Sequence, residues 1–301
     1  MDVRHLELLR ELADRGSVTA VARATHRTPS AVSQQLKAAQ REFGLPLAEP
    51  AGRGLKLTEA GRVLADGGRQ IATAVERVRA DWDAYRGQPS GPVSIAALPS
   101  AAAFLLPGVI DDLGDVPITL RCTDIDIAEA EFGGLVVDHD IVIAHSLTSR
   151  APAGTEGLVT VQLVREPLDI AMAATHPLAR QKSLRPRDLI DQEWIGVPSG
   201  FPFDTVLLAI ERETGIAPRV AQRLRDNRLI ESLVAAGRKI AILPRFTTPT
   251  DGGIVLRPLL DIPSGRYIFA VVRTDRAQRL AVRRVVDAFV SVAARVGREQ
   301  A

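Results

Sequence analysis

Residues 27 to 40 read RTPSAVSQQLKAAQ, a stretch that gathers hydroxyls, amides and cations without a single carboxylate. On a helical wheel at about 100° per residue, Ser33, Gln34, Lys37 and Arg41 fall within roughly 60° of Ser30. Val32, Leu36, Ala39 and Phe43 take the opposite side. Such a face suits binding rather than bond-making: Ser and Gln meet base edges, Lys and Arg meet phosphates. Thr28 can cap this helix, with Pro29 at the first position, where a missing N–H costs nothing. From Arg15 to Arg41 the chain carries Arg15, Arg23, Arg27, Lys37 and Arg41 and no Asp or Glu. A solvated helix face mixes signs, so a one-sign patch points to a polyanion.

A second set of residues suits a small anion. Leu98-Pro99-Ser100 and Val197-Pro198-Ser199-Gly200 each follow an apolar strand-like run and precede a helical one. Each can offer backbone N–H groups, a hydroxyl and a positive dipole end, with no arginine required. The alternative is that Ser100 and Ser199 are plain helix caps. Phe201 and Phe203 can cover the apolar part of a ligand, while Asp204 at the same helix start disfavours an anion and favours an amine. A ligand carrying both groups reconciles the two. Catalysis has a weak case in Ser100, His176 and an Asp, because no nucleophile elbow surrounds either serine. His5, His26, His139 and His145 lack metal-ligand spacing, so no catalytic residue, metal or cofactor is expected.

The elements that must position these residues are legible in outline. Leu6, Leu9 and Ala13 share a helix face, Gly16 ends that helix, and Ser17 or Thr19 can cap VTAVARAT. With the helix from Pro29 they form a helix-turn-helix whose last helix enters the major groove of DNA. Gly52-Arg53-Gly54 makes the tip of a wing, placing Arg53 as a further phosphate contact. Over residues 59–87, Leu64, Ile71, Val78 and Tyr85 recur every seventh position, with Gly68, Val75 and Trp82 between them. This is a heptad seam, which packs either on a second copy of the chain or on its own domain. Gly67-Gly68 weakens the helix by about 1 kcal/mol per glycine, so there it bends or admits a close backbone. QPSGP, residues 88–92, reads as a linker. Beyond it, strand-like and helical runs alternate, which predicts a parallel sheet flanked by helices.

The division expected is a winged helix-turn-helix at 1–58, a linker and dimerisation helix at 59–87, and a hinge at 88–92. An α/β domain of two lobes follows, one from 93–160 with 268–301, the other from 161–267. Residues 1–90 hold 14 Lys/Arg against 11 Asp/Glu and the remainder 24 against 25, so the basic excess belongs to the first third. The lone Cys122, in ITLRCT, cannot form an internal disulfide and reads as a buried strand residue. MDVRHLELLRELADR is too charged for a signal peptide, and no apolar run is long enough for a membrane span. A soluble, cytoplasmic protein is expected, which disfavours an exported solute-binding protein of similar architecture.

In order, SVTAVARATHRTPSAVSQQL, GRGLKLTEAG, Leu105-Leu106-Pro107, REPLDIAMAATHPLA and LVAAGRKIAILP give the chain a pattern that resembles the LysR-type transcriptional regulators over nearly its whole length. The resemblance implies a winged helix-turn-helix, a long linker helix and a domain similar to periplasmic binding proteins. It further implies double-stranded DNA with a pseudo-palindromic operator, a small effector held in the cleft between the lobes, and a homodimer or homotetramer. Asn227 and Arg228 fall where this family often lines the cleft. Two departures stand out: Ala39-Gln40 replaces a usual Leu-Glu pair, and Ala48-Glu49-Pro50 lacks a usual arginine that would touch phosphate.

Overall fold

The computed structural model describes residues 1–299 except 53, 87, 88, 128 and 148–150. Two compact units are present, Met1–Gly91 with Arg273–Arg283, and Pro92–Val272 with Arg284–Ala301.

In the first unit, α1 (Val3–Arg15), α2 (Val18–Ala24) and α3 (Pro29–Phe43) precede strands β1 (Ala48–Ala51) and β2 (Gly54–Leu57) and the long helix α4 (Glu59–Tyr85). Local chemistry sets the boundaries. Ser17, Thr28 and Thr58 cap their helices by accepting from the amides of Ala20, Ala31 and Gly61, each satisfying an orphan donor. Gly16 (φ 67°) and Gly44 (φ 68°) end α1 and α3 in the left-handed region that lacks a Cβ penalty. The antiparallel wing pairs Ala48 with Leu57 and Ala51 with Gly54; Arg53, expected at the tip, lies outside the described residues. Leu9, Leu12, Val21, Val32, Leu36, Ala39 and Leu47 form the core, as the wheel for α3 requires.

Helix α4 divides in two. Leu64 packs on the core of its own unit, and Gly68 is buried where a Cβ would stand 2.5 Å from the Leu6 carbonyl oxygen. The glycine therefore serves a close backbone approach by α1. Farther along, Val75, Val78, Trp82 and Tyr85 are exposed, with Trp82 stacked on Tyr85 at 5.6 Å.

The second unit holds β3 (Gly91–Ala97), α5 (Pro99–Leu113), β4 (Ile118–Asp124), α6 (Phe132–Leu135), β5 (Ile141–Ser146) and β6 (Val159–Ala173). Then come β7 (Glu193–Gly196), α7 (Pro202–Thr214), β8 (Arg219–Arg223), α8 (Asn227–Ala236), β9 (Ile240–Pro244), β10 (Ile254–Arg257), β11 (Gly265–Val272) and, from Arg284 onward, the greater part of α9 (Leu280–Glu299). Gly91 and Pro92, expected in the linker, open β3, and Gln88 lies outside the described residues. The sheet order is β4-β3-β5-β11-β6-β9-β7-β8, with β10 also on β6.

The expectation of a parallel sheet needs correction. β3 and β5 run parallel, as do β7, β8 and β9, but β6 and β11 are antiparallel to their neighbours. The reason is connection: β6 pairs with β11 through Pro167 and with β9 from Leu168, so one strand serves both lobes. β11 returns the chain beside β5 in the first lobe. Trp194, Leu168, Ile170, Ile230 and Leu243 anchor the core of the second lobe. Cys122, expected buried, is exposed, because it sits on β4 at the sheet edge.

Candidate functional sites

On α3, Ser30, Gln34, Lys37 and Arg41 are exposed and Ser33 is half-buried. Thr28 Oγ1 accepts from the Ala31 amide and lies 3.0 Å from Ser30 Oγ, so the cap also fixes the start of the polar face. An open groove runs along Gln34, Lys37, Gln40, Arg41, Leu45 and Pro46. Gln40 is held structurally, its amide oxygen accepting from the Leu47 N–H at 3.0 Å. Arg27 turns away and donates to Gln35, whose amide donates to the Arg4 carbonyl. Among the described residues Lys37 and Arg41 have no ion pair, which leaves two uncompensated cations on a face otherwise offering short hydrogen-bonding groups.

In the second unit, a cavity of about 920 Å³ is lined by Ser100, Phe201, Phe203, Asn227 and Arg228, together with Asp126, His145, Arg225, Glu231 and Arg266. Its size suits a small molecule. Ser199 and Gly200 are exposed and lie outside its lining.

This geometry removes one alternative and revises two expectations. Leu98 is the N-cap of α5, so Ser100 sits inside the first turn rather than capping it. Its hydroxyl oxygen accepts from Arg266 Nη2 at 2.8 Å; an arginine does stand at this wall. The second helix begins at Pro202, with Phe201 as N-cap, so Pro198-Ser199-Gly200 forms a turn ahead of it. Asp204 is buried and accepts from Arg223 Nη1 at 2.6 Å, and that pairing removes its bias against an anion. His176 accepts from the Leu178 amide and caps a short turn, away from the cavity Ser100 lines.

Arg266 organises the first-lobe wall. Its Nε and Nη2 donate to Glu166 Oε2 at 2.8 and 2.5 Å, with both residues buried, and its guanidinium lies 5.5 Å from the Phe203 ring centroid. Burial pushes the Glu166 carboxyl up, against the pull of Arg266. Because Ser100 already accepts from Arg266, its own O–H is free to donate to an acceptor in the cavity.

His145 shares this wall. Neither ring nitrogen has a partner, its ring stands edge-on to Phe132 at 5.0 Å, and burial, with Arg266 nearby, lowers its pKa to about 3. The imidazole is therefore neutral at ordinary pH. On the opposite wall Arg225 stacks over Phe201 at 4.9 Å, and Asp226 caps α8 by accepting from the amides of Arg228 and Leu229.

Arg266, His145, Asp126, Arg225 and Glu231 escaped the sequence reading. The available signal was a polar residue at one end of an apolar strand run: Arg266 before YIFAVV and His145 after DIVIA.

Residues 3–62 match the family described as bacterial regulatory helix-turn-helix protein, lysR family, and residues 86–294 match the LysR substrate binding domain. The chain is 29% identical over 252 residues to the transcriptional dual regulator GltC of Bacillus subtilis, covering 82% of each protein. In fold it is similar to full-length OxyR from Pseudomonas aeruginosa, with a TM-score of 0.70 at 18% identity, covering 100% of this chain and 98% of that one. It is also similar to full-length CbnR complexed with its target DNA, with a TM-score of 0.53 at 22% identity, covering 97% and 100%. The polar, acid-free face of α3 and the cavity of the second unit thus fall in two matched domains, and the chain belongs to the LysR family: a DNA-binding transcriptional regulator with a domain for a small-molecule effector, and not an enzyme.

Proposed function

We propose that this regulator senses a small carboxylate-bearing molecule in the cavity beside Ser100, and reads a pseudo-palindromic operator as a homodimer joined through α4. The observation that carries the effector reading is the direction of one hydrogen bond. Ser100 accepts from Arg266, so its hydroxyl is a ready donor to a carboxylate oxygen, alongside a cation held in place by Glu166. Phe201, Phe203, Asn227 and Arg228 line the remainder as contacts for the effector's body.

For DNA, Ser30, Ser33 and Gln34 read base edges from α3, Thr28 fixes the helix start, and Lys37 and Arg41 hold phosphates. The solved complex of CbnR with its target DNA, a protein similar in fold, supports this use of the domain. Arg53 belongs to the same proposal at the wing tip. The exposed Val75, Val78, Trp82 and Tyr85 supply the apolar stripe for a second copy.

The test is fluorescence anisotropy of an operator fragment with wild type and Ser100→Val, in the presence and absence of a set of small mono- and dicarboxylic acids. A carboxylate that changes wild-type DNA binding and leaves Ser100→Val unchanged is the expected result. Equal responses in both proteins would remove Ser100 from the site.

A further inference from the structure

Four charged side chains of the cavity wall, two of each sign, make no ion pair among the described residues. Arg266 is taken by Glu166, and Asp226 is taken by the amides that open α8. Asp126 and Glu231 are left without an ion pair among the described residues, and so are Arg225 and Arg228. Partial burial pushes the Glu231 carboxyl up against the Thr248 hydroxyl and the charge of Arg228, and pushes the carboxyl of Asp126, which stays exposed, up against Arg225 and Arg266. Two carboxyls that line one cavity without an ion pair of their own are available to a cation that enters it.

The same cavity has a second unsatisfied group. His145, 3% exposed, lines it with both ring nitrogens unpartnered. A buried polar side chain without a partner is rare in a folded protein and calls for a bound one. A neutral imidazole adds no positive charge and offers a lone pair that accepts an N–H.

We infer that the effector is a zwitterion of the amino-acid class, its ammonium held on the side of Asp126 and Glu231 with His145 as an additional acceptor, and its carboxylate at Ser100. This rests on the carboxylate reading above and adds the amine. Arg225 and Arg228 then serve the carboxylate or an acidic side chain, and the wall carries both signs because the ligand does.

The experiment is thermal shift and calorimetric titration of the full-length protein with the common α-amino acids and, for each, the matched α-keto and α-hydroxy acid. At least one amino acid is expected to stabilise and bind the wild type while its amine-free counterparts do not, with binding weakened about tenfold or more in Asp126→Asn or Glu231→Gln. Circular dichroism of each variant separates lost binding from lost fold. The inference is overturned if no amino acid binds, if an amine-free acid binds as tightly, or if both neutralised variants keep wild-type affinity. A keto acid that binds the wild type and loses binding in Ser100→Val would leave the carboxylate reading standing and remove only the amine. An amino acid whose binding is insensitive to Ser100→Val would do the reverse.

Discussion

Arg266 and Glu166 face each other across an antiparallel pair, as register partners of β11 and β6, one residue before β6 reaches Pro167 and then exchanges β11 for β9. Their ion pair is therefore placed where one lobe passes into the other. Both side chains are almost fully shielded, so removing one partner strands a buried charge. Arg266→Met is expected to destabilise the protein by about 3–5 kcal/mol, whereas Arg266→Met with Glu166→Leu recovers most of that loss. Urea denaturation of the two variants checks this. A double variant no more stable than the single one would mean that the pair is worth more than its desolvation.

On α3, Gln34→Ala is expected to relax specificity at one base position and to cost about 1–3 kcal/mol on the preferred operator. Lys37→Ala instead weakens every sequence alike and lowers the slope of log affinity against log salt by about one. Binding titrations at several salt concentrations separate the two. A wild-type slope in Lys37→Ala would remove its phosphate role.

How much of this was legible depends on whether the information is local. The caps at Thr28 and Thr58, the terminating Gly16 and Gly44, and the two faces of α3 follow from periodicity and turn chemistry within one helix. The effector wall does not. Ser100 meets Arg266 across 166 positions of chain, Glu166 meets it across 100, and Asp204 finds Arg223 only because α7 and β8 pack in one lobe. No spacing rule joins such residues. The strand directions failed for the same reason: alternation of strands and helices says nothing about one long strand shared by two lobes.

Gly68 gives a test of the packing within α4. Alanine favours a helix over glycine by about 1 kcal/mol in an exposed setting, so a reading of propensity alone expects Gly68→Ala to stabilise. Here the added Cβ meets the backbone oxygen of Leu6 at 2.5 Å, and a net loss of about 1–3 kcal/mol is expected. Gly67, whose Cβ would meet nothing within 4 Å, is the matched control and should gain stability. Thermal denaturation of both variants compares them directly.

The exposed half of α4 predicts the oligomeric state. Val75→Asp with Val78→Asp places two charges in the stripe proposed to join two copies. The expected product is a folded monomer with weakened operator binding, because each half-site then meets a single recognition helix. Light scattering measures the mass. If the double variant keeps the wild-type mass, the joint between copies lies elsewhere.

His145 predicts how stability follows pH. Its folded pKa of about 3 lies below the unfolded value of 6.5, so between those values the unfolded chain binds the extra proton. Stability from this group is then full above the unfolded value and falls as pH drops through it. At 1.36 kcal/mol per pH unit, this one residue costs about 2 kcal/mol on going from pH 7 to pH 5. Other groups titrate in the same interval, so the informative quantity is the difference between wild type and His145→Phe, which fills the same wall without a titrating ring. The variant is expected to lose less stability than wild type over that step, by about 2 kcal/mol. Urea denaturation at the two pH values measures it, and parallel losses in the two proteins would show that the imidazole takes up a proton in the folded state, which requires a partner or water at its ring nitrogens.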